Sequence, residues 1–269
     1  MDDRVKVTMS DGIADVRLVR ADKMNALDAA MFDALVATSG RLAHEKGLRA
    51  VVLSGEGRAF CAGLDMDRFA AMKKGGNRVA GGESRDLTAR THGLTNFPQQ
   101  AVWGWRQLPV PVIAAIQGVA FGGGFQLALG ADMRFLAPDA RMSIMEIKWG
   151  LVPDMAGTPI LANLVRDDIL RELTYTGRIF SAQEALSYGL ATRICDDPRA
   201  AAFEVAREIA GKSPEAIRAA KRMLNNLAID PGPALLAESV EQMKLMGGAN
   251  QLEAVRANID KRAPRFADV

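Results

Sequence analysis

The 269-residue chain has few of the side chains from which metal and disulfide sites are built. It contains two cysteines and two histidines, and neither Cys-x-x-Cys nor His-Glu-x-x-His occurs. A zinc site of these common kinds is therefore not expected. Two cysteines are also too few for a disulfide framework, and they fit a protein of the reducing cytosol. We therefore predict a cytoplasmic protein without a bound metal.

The chain also lacks an excess of either charge and any long apolar run. Its 34 basic and 32 acidic side chains leave a formal net charge of +2, which gives no strong field for nucleic acid or an anionic membrane. No apolar run is long enough to span a bilayer. The charged N-terminus has no apolar core behind it, so a signal peptide is not expected. Neither nucleic acid nor membrane is a predicted partner.

Motifs of nucleotide binding and serine hydrolysis are missing too. Gly55 and Gly57 follow a predicted strand, but the third glycine of a dinucleotide fingerprint is absent. No Gly-Lys-Ser/Thr follows either glycine cluster, and no Gly-x-Ser-x-Gly occurs. Cys61 has no identifiable partner base. It is better explained as a small residue that fills a turn than as a nucleophile.

Apolar, β-capable runs alternate with helical stretches over most of the chain. The predicted strands are residues 5–7 and 13–19, joined as a hairpin at Asp11-Gly12, then 48–53, 110–116, 133–136 and 142–145. Asp28 is placed to cap a helix that runs to about Glu45. Such alternation predicts an α/β protein with crossover connections. From Ala201 onward the pattern is nearly all helical, as in tails that cover an active site or a subunit interface.

The segment 113–128 carries the strongest signal of a ligand site. An apolar strand reaches Gly122, Gly123 and Gly124, and a helical stretch follows. Glycine lets the backbone approach a ligand closely, and a helix start leaves N–H groups unpaired. Together these features predict a pocket for negative charge, either a bound anion or an oxyanion that develops during a reaction. The alternative is a tight strand-to-helix turn without a ligand.

Two carboxylates stand in unusual surroundings. Glu146 lies in an apolar run, where a charge is costly unless it has a partner or a use, and Asp154 follows in a Gly-Leu-Val-Pro-Asp context. Burial raises the pKa of a carboxyl group and makes it useful for proton transfer near neutrality. A structural role explains each residue equally well: Glu146 as the partner in a salt bridge, and Asp154 as the N-cap of a helix that starts near Thr158.

Five segments resemble, in order, the landmarks of the crotonase, or enoyl-CoA hydratase/isomerase, superfamily. They are DKMNAL at 22–27, FCAGLD at 60–65, IAAIQGVAFGGGFQL at 113–127, RIFSAQEA at 178–185 with Gly189-Leu190, and KRAPRF at 261–266. Five landmarks in order are specific for the superfamily, though not for one reaction. The resemblance implies a crotonase-type α/β spiral of ββα turns over residues 1–200. It implies a helical trimerisation region over 201–269, in a trimer or a dimer of trimers.

The resemblance also assigns roles to individual residues. It implies a CoA thioester as substrate, no further cofactor, and an oxyanion hole made by the backbone N–H groups of Leu64 and Gly123. Gly122 and Gln126 would line the site. The implied substrate contacts are Lys23, Met24, Ala26, Ala62, Asp65 and Lys261. Lys261 and Arg262 would meet the CoA phosphates, although a solvated helix end is equally compatible with them. Five apolar residues fit two roles equally well, lining of the acyl pocket or ordinary core packing: Met66, Phe69, Met72, Trp103 and Trp105.

The chain departs from the hydratase pattern at position 126. Hydratases carry two glutamates that position water and move its protons; the second falls on Glu146 and the first on Gln126. An amide hydrogen-bonds water but cannot transfer a proton at ordinary pH. Asp154, eight residues after Glu146, resembles the acid of the dienoyl-CoA isomerase branch, which usually has an acid at 126 as well. We therefore expect double-bond isomerisation with Glu146 and Asp154 as acid and base. The alternatives are enoyl-CoA hydration and a catalytically weakened acyl-CoA-binding paralogue.

Overall fold

A computed structural model describes residues 4–67, 86–225 and 232–264. The strands in these ranges are β1 Val5–Ser10, β2 Ile13–Leu18, β3 Ala50–Gly55, β4 Val112–Ile116, β5 Val119–Phe121, β6 Met133–Leu136, β7 Arg141–Ser143, β8 Phe180–Ser181 and β9 Arg193–Ile194. The α-helices are α1 Ala29–Ala43, α2 Phe97–Gln107, α3 Gly123–Leu129, α4 Gly157–Leu161, α5 Asp167–Thr176, α6 Ala182–Ser187, α7 Pro198–Ala210, α8 Pro214–Asn225, α9 Gly232–Leu245 and α10 Ala249–Ile259. Short 3-10 helices span Ala21–Lys23 and Glu146–Trp149. No helix within the described ranges is long and apolar enough to cross a membrane.

The N-terminal hairpin forms at the predicted turn. Asp11 and Gly12 have φ angles of 52° and 76°, and a two-residue turn of type I′ requires both to be positive. β1 and β2 pair antiparallel, with Ser10 opposite Ile13. The six-stranded sheet has the order β1-β2-β3-β4-β6-β9, and every pair after the hairpin is parallel. Parallel pairs joined by helices confirm the predicted α/β class.

This sheet is buried on both faces, which explains the continuous apolar runs of its central strands. Val51 and Leu53 of β3 belong to the main core, which also contains side chains of α1 and α2. Ala50 and Val52 point to the other face and pack with Ala202 of α7. The predicted boundary after residue 200 therefore falls inside α7, a helix that covers the core sheet.

Side-chain caps begin helices where the sequence places them. The Asp28 carboxylate accepts a hydrogen bond from the Met31 N–H at 2.8 Å, as expected of the N-cap of α1. Asn96 and Gln99 form a capping box at the start of α2, in which each side chain accepts from the other residue's N–H. The predicted Asp28 cap is confirmed, and α1 ends two residues before the predicted end.

A smaller sheet brings the glycine turn, residues 122–124, and Glu146 to one edge. β5 and β7 are parallel, with Phe121 opposite Ser143. Because parallel strands end at the same edge of a sheet, the residues that follow them lie close together there. The Gly122 N–H donates to the Ser143 carbonyl oxygen at 3.0 Å, and Glu146 begins a 3-10 helix just after β7. The strand predicted over 142–145 is corrected: the chain turns after Ser143 because its partner β5 ends there.

Candidate active site

A cavity of about 610 Å³ opens at this edge, a volume suited to a small-molecule ligand. Its wall is mostly apolar and includes Leu27, Phe32, Phe121 and Met155. Carboxyl groups interrupt that wall near the glycine turn. An apolar cavity with a few polar groups is the usual form of an enzyme or ligand site.

Most of the predicted substrate contacts lie around this cavity. Those that line it are Lys23, Met24, Ala26, Ala62 and Asp65. Met66 also lines it, whereas Trp103 and Trp105 do not. Trp105 is fully buried and donates its indole N–H to the Ala101 carbonyl oxygen at 2.9 Å, so core packing explains it. Phe69 and Met72 lie outside the described residues.

Two backbone N–H groups in the cavity wall, those of Leu64 and Gly123, have no acceptor among the residues that the structure describes. Gly123 is the first residue of α3, where N–H groups have no partner within the helix. Leu64 and Leu27 form a parallel β-bridge. In this bridge the Leu27 N–H donates to the Gly63 carbonyl oxygen and the Asp65 N–H donates to the Leu27 carbonyl oxygen, so the Leu64 N–H takes no part in it. Both donors are therefore available to an acceptor in the cavity.

The segments that carry these donors are held side by side. The Phe121 N–H donates to the Cys61 carbonyl oxygen at 3.1 Å, and the Cys61 N–H donates to that of Val119 at 3.0 Å. A Cβ on Gly63 would lie 2.5 Å from the Phe121 carbonyl oxygen, and the Gly63 φ of 88° itself favours glycine. The close approach of the two segments therefore requires a glycine at position 63.

Asn25 and Cys61 support this wall from inside. The Asn25 amide donates to the carbonyl oxygens of Glu56 and Ala59 at 3.0 and 2.9 Å. The Cys61 thiol lies 3.1 Å from the Asn25 carbonyl oxygen, and burial raises the pKa of this thiol to about 12. Such a thiol is not ionised near neutrality, so Cys61 fills the turn and is no nucleophile.

Glu146 is a buried carboxyl group in the cavity wall with one oxygen uncommitted. Gln126 Nε2 donates to Glu146 Oε1 at 2.6 Å, and Glu146 Oε2 has no hydrogen-bond partner among the described residues. Burial raises the pKa of Glu146 to about 7, and the negative charge of Asp154 adds to that rise. No arginine or lysine within the described ranges pairs with Glu146, which removes support for the salt-bridge interpretation.

Gln126 lies behind Glu146 and does not line the cavity. Its Oε1 accepts hydrogen bonds from the N–H groups of Met155 and Gly157 at 2.9 and 3.0 Å. Because the carbonyl oxygen is fixed in this way, the amide NH₂ faces Glu146. The prediction that Gln126 lines the site is corrected: its side chain orients Glu146 from within the protein.

Asp154 lines the cavity and does not cap a helix. α4 begins at Gly157, after Ala156 in a left-handed conformation with φ of 64°, and has no side-chain cap. Burial raises the pKa of Asp154 to about 6, and the nearby Gln242 side-chain amide limits the rise. The pKa values of Glu146 and Asp154 thus both lie near neutrality, where a carboxyl group can either accept or release a proton.

Sequence reasoning missed two residues of α9, Glu238 and Gln242. Gln242 lines the cavity, and its Oε1 accepts from the Val152 N–H at 3.3 Å. Glu238 lies behind the wall and accepts from the N–H groups of Ala156 and Thr158 at 3.0 and 2.9 Å; burial raises its pKa to about 7. A four-residue spacing places both on one helix face, but the sequence does not show what that face contacts.

The predicted C-terminal contact does not reach the cavity within the described chain. Lys261 follows α10 and does not line the cavity, and Arg262 pairs with Glu253 at 2.6 and 2.9 Å. Positive charge at the cavity comes from Lys23 and Lys148 instead. The assignment of Lys261 as a substrate contact stays a prediction.

Comparison with known proteins agrees with this geometry. The family model described as enoyl-CoA hydratase/isomerase matches residues 8–269. A carnitinyl-CoA dehydratase of Proteus mirabilis is 32% identical over 274 residues, which cover 99% of this chain and 99% of that protein. The mitochondrial Delta(3,5)-Delta(2,4)-dienoyl-CoA isomerase of Mus musculus is 31% identical over 93% of this chain and 77% of that protein.

Solved structures share the fold along the whole chain. A carnitinyl-CoA hydratase from Mycobacterium avium has a TM-score of 0.83 at 26% identity and covers 99% of both chains. An enoyl-CoA hydratase/isomerase from Pseudoalteromonas atlantica T6c has a TM-score of 0.84 at 28% identity, over 98% of this chain and 100% of that one. The predicted crotonase-type architecture is confirmed, and trimerisation stays a prediction.

Proposed function

The chain belongs to the enoyl-CoA hydratase/isomerase family, and from this premise we propose that it moves a carbon–carbon double bond in an acyl-CoA thioester through an enolate. Family membership confirms the resemblance drawn from five segments of the sequence. One observation carries the proposal: Glu146 and Asp154 line one cavity with pKa values near neutrality, while position 126 holds an amide turned into the protein.

In the proposed reaction the thioester carbonyl oxygen accepts hydrogen bonds from the Leu64 and Gly123 N–H groups. These donors stabilise the negative charge that develops on the oxygen as the enolate forms. Fixed donors of this kind are worth roughly a hundredfold or more in rate each. The N–H groups need no rearrangement during the reaction, because the two segments that carry them are already bonded to each other.

The two carboxyl groups then divide the proton transfers. For a 3-enoyl-CoA, a carboxylate takes the proton from C2, and the electrons of that bond move to the carbonyl oxygen. When the enolate collapses, C2=C3 forms, C3=C4 is lost and C4 receives a proton. We assign C2 to Glu146, because its Oε1 lies 3.4 Å from the position of a Cβ on Gly122, next to the donor of Gly123. Asp154 then donates the proton to C4, the reacting carbon farther from the thioester.

Hydration or dehydration is the second candidate, since the Proteus mirabilis relative is named a dehydratase. In that reaction Glu146 would serve C2, and Asp154 would hold and deprotonate water at C3. Gln126 has no titratable group, and its amide is committed to Glu146, Met155 and Gly157. The first of the two usual water-handling glutamates is therefore missing, which favours isomerisation.

Product analysis separates the two reactions. The purified protein is incubated with trans-2-enoyl-, 3-enoyl- and 3,5-dienoyl-CoA of several chain lengths, and the products are separated by chromatography and identified by mass spectrometry and NMR. We expect 3-enoyl- or dienoyl-CoA to be converted into an isomer of unchanged mass. Hydration of trans-2-enoyl-CoA, with the other two substrates untouched, would replace the isomerase proposal with the second candidate.

We also propose that the protein assembles as a trimer or a dimer of trimers and needs no further cofactor. Met223 and Leu224 of α8 are 70% and 65% exposed in the single chain, and a cluster of such side chains is typical of an interface. Light scattering should give the mass of three or six chains. A monomer at micromolar concentration would contradict this assembly.

A further inference from the structure

Glu238 of α9 is a buried carboxyl group that binds the backbone just after Asp154. Its Oε2 accepts a hydrogen bond from the Ala156 N–H at 3.0 Å, and its Oε1 accepts one from the Thr158 N–H at 2.9 Å. The residue is 6% exposed and does not line the cavity. Both oxygens therefore hold the backbone of residues 156–158 and do not face a ligand.

The turn that Glu238 binds has an unfavourable backbone conformation. Ala156 has φ of 64° and ψ of 15°, in the left-handed region, where the Cβ of any residue other than glycine is crowded. Such a conformation persists only where surrounding contacts fix it. The Ala156 N–H is bound by Glu238, and the N–H groups on either side of it are bound by Gln126 Oε1 at 2.9 and 3.0 Å. Two side chains from different helices therefore hold this turn.

The same turn sets the place of Asp154 in the cavity. Asp154 lies two residues before Ala156, in a segment without regular secondary structure until α4 begins at Gly157. No helix or strand positions its side chain, so the hydrogen bonds of the turn do so. If the backbone relaxed at Ala156, the chain before it would rotate relative to α4 and the Asp154 carboxyl group would move.

A further set of contacts orients Glu238 itself. Gln99 Nε2 donates to Glu238 Oε2 at 3.3 Å. The Gln99 carbonyl oxygen accepts from the Asn96 N–H and from Arg90 Nη1 at 3.1 and 3.0 Å, so the Gln99 NH₂ faces Glu238. Two donors, those of Gln99 and Ala156, thus meet at Glu238 Oε2, and this position requires an acceptor.

We propose that Glu238 is a positioning residue for the reaction: by holding the left-handed turn at Ala156, it places the Asp154 carboxyl group within reach of C4. This inference rests on the proposed role of Asp154 as the proton donor to C4. It requires no contact between Glu238 and the substrate. It also explains why a buried glutamate of α9 binds backbone N–H groups behind the cavity wall.

The first test compares the two proton transfers in variants of Glu238. Glu238→Met removes both acceptors and keeps an unbranched side chain, whereas Glu238→Gln should keep the acceptor at the Oε2 position and lose the bond from Thr158. With 3-enoyl-CoA in heavy water, product formation should fall about tenfold in Glu238→Met and about threefold in Glu238→Gln. Exchange of the C2 hydrogen, which is assigned to Glu146, should stay close to the native rate. Equal losses of exchange and product would show a merely structural role and overturn the inference.

Ser239→Ala is the matched control. Ser239 follows Glu238 on α9 and is fully buried, and its hydroxyl accepts from Arg90 and Asn96 at 2.9 and 2.8 Å, away from the turn. This variant should lose stability and keep the native ratio of product formation to C2 exchange. A native ratio in the Glu238 variants as well would overturn the inference. If Glu238→Met does not fold, the ratio in Glu238→Gln decides.

The second test asks whether the left-handed turn transmits the effect. Glycine adopts a positive φ without crowding, so the turn in Ala156→Gly should depend less on Glu238. Glu238→Met should therefore lower product formation about tenfold in the native background and less than about threefold in the Ala156→Gly background. Equal losses in the two backgrounds would overturn the inference.

Crystal structures without substrate separate this inference from the proposed function. In Glu238→Met, Ala156 should leave the left-handed region and the Asp154 carboxyl group should shift by about 1 Å, enough to slow a reaction that depends on position. An unchanged turn with Asp154 in its native place would overturn the inference. If the native protein does not isomerise 3-enoyl-CoA, the proposed function fails, while the crystal structures still decide whether Glu238 places Asp154.

Discussion

Glu146 and Asp154 face the same cavity, but different parts of the chain hold them. Glu146 follows a strand of the smaller sheet and is oriented by Gln126 of α3, within the core. Asp154 lies in an irregular segment, and the backbone N–H groups of that segment donate to Glu238 and Gln242 of α9, in the C-terminal helical region. One acid is therefore placed by the strand order of the core, and the other depends on how a later helix packs.

Replacing the acid held by the core should have the largest effect. Glu146→Gln keeps an acceptor for the Gln126 NH₂ and removes only the titratable group, so the fold should persist. Turnover of the isomerised substrate should fall by roughly a hundredfold or more, the scale of acid–base catalysis. Steady-state kinetics with a circular dichroism control provides the measurement. Turnover within a few-fold of the native value would place the chemistry elsewhere.

The second-largest effect on activity is expected from a change in the part of the cavity wall that carries the Leu64 and Gly123 N–H donors. Gly63→Ala places a Cβ 2.5 Å from the Phe121 carbonyl oxygen and forces an unfavourable φ of 88°. The Leu64 and Gly123 donors should separate, and kcat should fall by roughly tenfold to a hundredfold. Gly40→Ala is the control, because a Cβ there meets nothing within 4 Å on an exposed helix face. Equal activity of the two variants would argue against an oxyanion site.

Each of the two acids should give one limb of the pH profile of kcat/KM. The pKa of Asp154 is raised to about 6 and that of Glu146 to about 7, so one proton is shared between them in this interval. The kcat/KM of the native protein should be bell-shaped, falling below about pH 6 as both groups protonate and above about pH 7 as both ionise. Glu146→Gln should remove one limb from its residual activity. A flat profile from pH 5 to 8 would contradict the assignment.

The smallest expected effect is on stability. Burial raises the pKa of Glu146 from 4.5 to about 7, so between these pH values the folded state binds more protons than the unfolded state. The stabilising contribution of this group is therefore complete below about pH 4.5 and is lost as pH rises through about 7. Glu146→Gln should raise the free energy of unfolding at pH 8 by about 1 to 3 kcal/mol, and little at pH 4.5. Denaturant titrations at the two pH values give the comparison. A variant less stable than the native protein at pH 8 would contradict it.

The same contrast explains what the sequence could predict. The hairpin at Asp11-Gly12, the Asp28 cap and strand β6 depend on residues a few positions apart, and local patterns predicted them. The glycine turn and Glu146 also stood out, because glycines and a carboxylate are unusual in apolar runs. These features required no knowledge of how distant helices pack.

Contacts between distant segments could not be predicted in this way. Gln126 was expected in the cavity, but the N–H groups of Met155 and Gly157 turn its amide toward Glu146. Gln242 gave no signal, because a glutamine in a C-terminal helix is ordinary until its side chain meets the Val152 N–H at the cavity. In such cases the role of a side chain is decided by the backbone groups that surround it after folding.

Deuterium exchange tests the division of labour between the two acids most directly. Native protein, Glu146→Gln and Asp154→Asn are incubated with 3-enoyl-CoA in heavy water, and label in recovered substrate and product is located by mass spectrometry and NMR. Asp154→Asn should still exchange the C2 hydrogen of recovered substrate but form little product. Glu146→Gln should lose both exchange and product. Retained C2 exchange in Glu146→Gln, or normal product formation in Asp154→Asn, would contradict the account.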